Sequence, residues 1–328
     1  MLSRTADHLY WMARYTERAE NTARMLDVAL QTSMLPQSKL EAEQAWRAML
    51  GISELQGAFD ARHGQQTWLD AGKVLDFMMR DPSNPSSIVA CLTAARENAR
   101  AVRGVLTTEV WETQNATWLE LPERVQGSLD ASVDPSAFFE WVKHRCHLAR
   151  GVTLGTMLND EALYFIHLGT FLERADSTAR LLDVKYHRAR AAVSASAPAS
   201  DDHEVLTQRE FYYWAALLRS VAGFEIYRKV YRDSITPARV AELLMLRADM
   251  PRSLLACMEQ VVANLKAVRN DISLETERLA GKMHAELQFT RIEDVLDAGL
   301  DATLDRFMKN VYALGNGISR DFLVPLGA

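Results

Sequence analysis

The chain has 328 residues, 48% of them hydrophobic and 24% charged, enough apolar material for one large core or two joined ones. A formal net charge of −6 offers no positive field to phosphate backbones or anionic lipid head groups, which excludes a general nucleic-acid binder. No stretch reaches about 18 apolar residues without a charge, so no membrane span is expected.

Apolar residues recur at three and four spacing in almost every window, and no alternating run of Val, Ile and Thr is bounded by turn signals, so the fold class is all-α. The opening MLSRTADHLYWMARYTERAE sets Arg4, Asp7, Arg14 and Glu17 where a signal peptide needs an unbroken apolar core, and a cytoplasmic protein is expected. The first long helix is predicted from Ser3, as N-cap, to Ser33. Leu9, Met12, Thr16, Ala19, Ala23, Leu26 and Leu30 stack along one face. Its predicted end is the loop around Pro36, and further breaks are predicted at Asp81 to Pro85, Pro122, Pro135, Pro237 and Pro251. Between them, Arg96, Arg100 and Arg103 form a basic stripe on the helix ACLTAARENARAVRG. Cys91, Cys146 and Cys257 are odd in number and far apart, and read as buried reduced thiols.

The chain then repeats itself. ERAENTARMLDV at 17–28 and ERADSTARLLDV at 173–184 agree at nine of twelve positions, and the other three are Glu/Asp, Asn/Ser and Met/Leu. Trp46-Arg-Ala-Met-Leu50 matches Trp214-Ala-Ala-Leu-Leu218. An offset of 166 relates Pro85, Ser87, Cys91, Asn98, Arg103, Trp141 and Lys143 to Pro251, Ser253, Cys257, Asn264, Arg269, Phe307 and Lys309. The long helices themselves are 156 apart, and the extra residues fit the small-residue segment AAVSASAPASDD at 191–202, read as an exposed linker. Two tandem units are therefore expected, 1–158 and 159–328, packed about a pseudo-two-fold axis as one helical bundle.

At 100° per residue Glu17, Glu20, Arg24 and Asp27 share a sector of about 80° bordering the apolar face. Glu173, Asp176, Arg180 and Asp183 reproduce it. A solvated ladder would contribute only about 0.2 to 0.5 kcal/mol per pair. The small residues Ala13, Ala19, Ala23, Ala175 and Ala179 suggest instead that another helix approaches closely and buries part of it. Two readings follow: a structural ion-pair network between the long helices, or a polar pocket at their junction. Di-iron sites need Glu-x-x-His, whereas here the motif ends in Arg, which repels a metal and favours a carboxylate or phosphate.

The halves diverge in other charges. The second carries Arg219, Glu225, Tyr227, Arg228 and Lys229, and Arg252 stands beside a predicted helix N-terminus where the first has Ser86. These arginines read either as solvated helix faces or as an anion- or peptide-binding surface. His144 and His147 lack a matching carboxylate and make a poor metal site. No Gly-rich phosphate loop, G-x-S-x-G elbow or H-E-x-x-H occurs, and neither metal nor cofactor is expected.

The stretch LSRTADHLYWMARYTERAENTARMLDV, with SIVACLTAARENARAVRG, TEVWETQN, WAALLRS, FEIYRKVY and MPRSLLACM, resembles the bacterial alpha-E family along nearly the whole chain. Its motif maps to Tyr10, Trp11, Arg14, Glu17, Arg18, Glu20, Asn21, Arg24 and Asp27, with Arg174 and Asp183 as second-copy counterparts. Thr16 departs from the apolar residue expected from Leu172. The resemblance implies a wholly helical protein found beside or fused to circularly permuted ATP-grasp ligases and transglutaminase-like proteases. On that reading the chain is an accessory protein that binds a peptide or the ligase itself. The alternative is an enzyme of amide chemistry with Glu17 and Glu20, or Glu173 and Asp176, as base and acid and Arg24 or Arg180 stabilising an oxyanion. That alternative needs a carboxylate of raised pKa in a cleft. A purely structural scaffold is the third reading.

Overall fold

The computed structural model describes residues 1–34, 39–65, 69–127, 134–195 and 203–323, with the backbone alone at 41, 127, 185–195 and 203–210. Among these residues every regular element is a helix: α1 (Ser3–Ser33), α2 (Lys39–Ile52), α3 (Gln56–His63), α4 (Ala71–Met79), α5 (Ile88–Ala101), α6 (Thr108–Gly127), α7 (Ser136–Thr156), α8 (Glu161–Ala195), α9 (His203–Ser220), α10 (Phe224–Tyr231), α11 (Pro237–Met245), α12 (Leu254–Ala267), α13 (Leu274–Phe289), α14 (Ile292–Ala298) and α15 (Leu300–Phe322). The all-α expectation holds. None of the helices is long and apolar enough to cross a membrane.

The two long helices α1 and α8 form the centre and pack along each other. Around α1 lie α5 and α7, and around α8 lie α12 and α15. The shorter helices interleave, with α2 touching α8 as well as α1, and α9 touching α1 as well as α8. This central position explains why α1 buries Glu17, Glu20, Asn21 and Asp27 together with Leu9, Met12, Ala19, Ala23 and Leu26. It is enclosed on more than its apolar stripe. The close approach that the small residues suggested is sharpest at Gly169, where an added Cβ would lie 2.2 Å from the Tyr10 carbonyl oxygen and 3.1 Å from the Ala13 Cβ.

Local chemistry sets several helix starts. Ser87 and Ser253 cap α5 and α12 by accepting from the backbone N–H of Ala90 and Ala256, leaving fewer orphan donors in the first turn. Pro237 takes the first position of α11 behind the Thr236 cap, where a missing N–H costs nothing. Pro135 stands before α7, and Asp81 to Pro85 forms the connection between α4 and α5.

Three local expectations are corrected. Ser3 is the first residue of α1, and Leu2 occupies the cap position without a side-chain bond. Pro122 does not break the chain but lies inside α6. There Leu121 is buried, Trp141 of α7 donates to Glu120, and Arg145 of α7 donates to Thr117, so packing against α7 outweighs the lost backbone bond. Residues 191–195 continue α8. The remainder of the 191–202 segment, like the break at Pro36, lies outside the described residues. The three cysteines are free and buried.

Candidate functional site

Where α1 crosses α8, the ladder carboxylates turn inward and meet arginines from three helices, α1, α7 and α8, and from the turn that precedes α12. Glu17 receives both arms of Arg174, Nε to Oε1 and Nη2 to Oε2, each at 2.9 Å. Arg252 adds a bond to Oε1 at 3.0 Å and Arg150 one to Oε2 at 2.8 Å. Glu20, three residues on, accepts from Arg24 at 2.7 Å, Arg150 at 2.6 Å and Arg252 at 2.5 Å. Arg252 also donates to the Asn21 amide oxygen at 2.7 Å. Such two-armed, charge-assisted contacts fix direction as well as charge.

The partner helix returns the exchange. Glu173 accepts from Arg18 through Nε at 2.6 Å and Nη2 at 3.0 Å, and from Arg14 at 2.7 Å. Arg14 also reaches the Tyr10 hydroxyl and lies over the Trp11 ring, while Arg18 reaches the Ser86 hydroxyl. Ser86 is the residue that the 166 offset pairs with Arg252. Further along, Arg180 binds Asp176 at 2.8 Å and also Glu54. Asp27 accepts from Lys143 at 2.8 Å and from Gln31, and Asp183 is half-buried on the same helix.

Burial alone would push Glu17 and Glu20 toward their neutral forms, but Arg174 and Arg252 at Glu17, and Arg252 and Arg150 at Glu20, hold both well below the usual carboxylate range. Glu173 behaves alike: burial opposes its charge, yet Arg18 and Arg14 hold it at about 2. Asp176 differs, because its burial outweighs Arg180 and raises it above the ordinary value. Burial also lowers Arg252, with Glu17 and Glu20 opposing that shift. Around Glu17 and Glu20 the guanidinium groups of Arg24, Arg150, Arg174 and Arg252 outnumber the two carboxylates and leave a formal surplus of two positive charges. Asn21 Nδ2 and Arg24 Nε in this cluster are buried without a hydrogen-bond partner.

The remaining candidates lie elsewhere. Arg96 is stacked 4.4 Å from the centroid of the Trp118 ring and 5.5 Å from that of Trp111, and donates to Asn115. Arg100 pairs with Glu97 at the surface and Arg103 is exposed. Arg219 lies over Phe224, and Arg228 is exposed beside Glu225. Of the arginines singled out for asymmetry between the halves, Arg252 alone enters the network.

Sequence reasoning missed Arg150 and Gln114. Arg150 stands on α7 three residues after His147, to whose Nδ1 it lies 3.2 Å distant, in a stretch without motif. A cavity of about 210 Å³ opens beside Glu17 and Arg150, between α1, α6, α7, α8 and α12, and Gln114 lines it. A second cavity of about 200 Å³, between α11, α13, α14 and α15, includes none of the sequence candidates.

Fold and site together define an all-helical protein centred on a buried glutamate–arginine exchange between two long helices. The chain belongs to the Alpha-E family, described as a predicted alpha-helical domain with a conserved ER motif, which it matches over residues 1–323. Glu17-Arg18 and Glu173-Arg174 are Glu-Arg steps that take part in the exchange. Similar curated proteins are uncharacterized proteins of Mycobacterium bovis and Mycobacterium tuberculosis, 26% identical over 336 aligned positions that take in 94% of this chain and 35% of theirs. The chain thus spans about a third of the length of these relatives. No solved structure matches it.

Proposed function

We propose that the protein is a non-catalytic accessory component of an ATP-grasp-dependent peptide-forming or peptide-modifying system in the cytoplasm, binding the ligase, a transglutaminase-like protease or their peptide. The observation that carries the non-catalytic part is the saturation of Glu17 and Glu20. Seven donor contacts converge on these two carboxylates, and both are held ionised and tied, which suits a structural clamp and not an acid–base pair. The family resemblance supplies the ligase. The greater length of the mycobacterial relatives is consistent with a unit that works alongside further protein. Surface cations such as Arg100, Arg103 and Arg228 offer the contact face for such a partner.

One observation favours the enzymatic alternative: Asp176 is raised in pKa and stands next to Arg180. Co-purification with the ligase, with ATP hydrolysis measured with and without this protein, tests the accessory reading. Complex formation or stimulation is expected. If neither appears, and Asp176→Asn abolishes a peptide-bond-cleaving or -forming activity while Arg100→Glu changes nothing, the enzymatic reading replaces it.

We also propose that the two halves descend from one unit. The matched helix starts support this: Ala71 and Pro237, Ile88 and Leu254, and Thr108 and Leu274 are each 166 residues apart.

A further inference from the structure

The cavity beside Glu17 and Arg150 has an apolar wall of Met12, Ala149, Leu154, Ile166 and Phe171, and Leu154 is exposed at its mouth. Gln114 lines it while 7% exposed. A primary amide carries two donors and an acceptor, and among the described residues none of them has a partner. The amide is not among the fully buried groups left without a partner, so it meets the solvent of the cavity and is open to a ligand there. Gln114 therefore offers a ligand in this cavity both donors and an acceptor.

The other polar end is electrostatic. Arg150 lines the same cavity, and its Nε–H makes none of the described hydrogen bonds, while its Nη2 is tied to Glu17 and Glu20. Behind it stands the surplus of two positive charges in the glutamate–arginine cluster. An anion entering here relieves that imbalance, and a carboxylate suits a guanidinium edge. The volume falls below the range of cavities that enclose drug-sized molecules, so the site takes the end of a chain and not a folded segment.

We infer that this cavity binds the free carboxy-terminal residue of a peptide with an apolar side chain, the carboxylate at Arg150, the last amide at Gln114 and the side chain against Ile166 and Phe171. The inference stands apart from the ligase partnership, since it concerns one cavity of this chain. It extends the role of Gln114 and Arg150 from packing to recognition.

Titrating the full chain with acetyl-Gly-Leu and with its carboxamide, followed by calorimetry or NMR, tests it. Binding of the acid is expected in the millimolar range, at least about tenfold weaker for the carboxamide, and about tenfold weaker for the acid with Gln114→Leu or with Leu154→Glu, which places a like charge at the exposed mouth. Thermal unfolding of each variant shows that it remains folded. Because Leu154 is exposed, that variant tests the site even where Gln114→Leu fails to fold. No binding of the acid, equal binding of acid and carboxamide, or full binding by folded Leu154→Glu overturns the inference.

Discussion

Glu17 shows what burial does to a charge that is fully matched. Removing its charge leaves Arg174 and Arg252, both largely enclosed, without their main counter-ion, and breaking a buried pair in this way costs about 3 to 5 kcal/mol. Glu17→Gln is expected to lose that much in urea unfolding at pH 7. Asp176→Asn is expected to stay within about 1 kcal/mol of the parent, because folding already disfavours the charge of Asp176. The pH dependence follows the same signs. Glu17, Glu20 and Glu173 are depressed in the folded state, so their contribution is present above the unfolded value of 4.5 and is lost as pH falls, for Glu173 through about 2. Asp176, raised above 3.8, opposes this, becoming less unfavourable as pH falls toward its unfolded value. Unfolding midpoints between pH 7 and pH 3 should therefore fall less steeply in Glu17→Gln than in the parent. An equal slope would mean that Glu17 is not held ionised by folding.

At the scale of the element, the tight point is the crossing of α1 and α8 at Tyr10, Ala13 and Gly169. A methyl group at 169 would collide with backbone that has nowhere to go, so Gly169→Ala is expected to destabilise by about 1 to 3 kcal/mol. Gly151 in the interior of α7 meets nothing within 4 Å, and Gly151→Ala should stabilise by about 0.5 to 1 kcal/mol through helix propensity. Thermal denaturation of the two variants should therefore shift in opposite directions. The long helices were legible in sequence because their apolar period is sustained, and the border position of Glu17 and Glu20 together with the alanines pointed toward a partner helix. Pro122 was not legible as a helix interior, since its accommodation depends on α7 contacts far along the chain. Arg150 and Gln114 carried no local pattern at all. Their meaning comes only from the assembly of α6, α7 and α8 around one space.

At the scale of the molecule, α1 and α8 each depend on the other for counter-ions, while α2 and α9 lie across both. Such interlocking predicts one cooperative unfolding transition, with calorimetric and van't Hoff enthalpies in agreement. Two separable transitions in scanning calorimetry would contradict it. Residues 1–158 expressed alone would present Glu17 and Glu20 without Arg174 and Arg252, and are expected to unfold at much lower urea concentration than the full chain.

The exchange of Arg18 for Arg174 across Glu173 and Glu17 has the form of a handshake, each hand offering the same grip. In an isologous contact a residue of the first body touches a second residue of its partner, and the converse contact recurs by symmetry. A single helix carrying Glu-Arg at that step could meet its own need only by finding a second copy of itself. Because both grips lie in one chain, they do not depend on concentration, and neither has to match the other residue for residue. At the 166 offset Arg252 stands opposite Ser86, so the two sides differ there, and Arg252 shares Glu17 and Glu20 with Arg150, which lines the cavity.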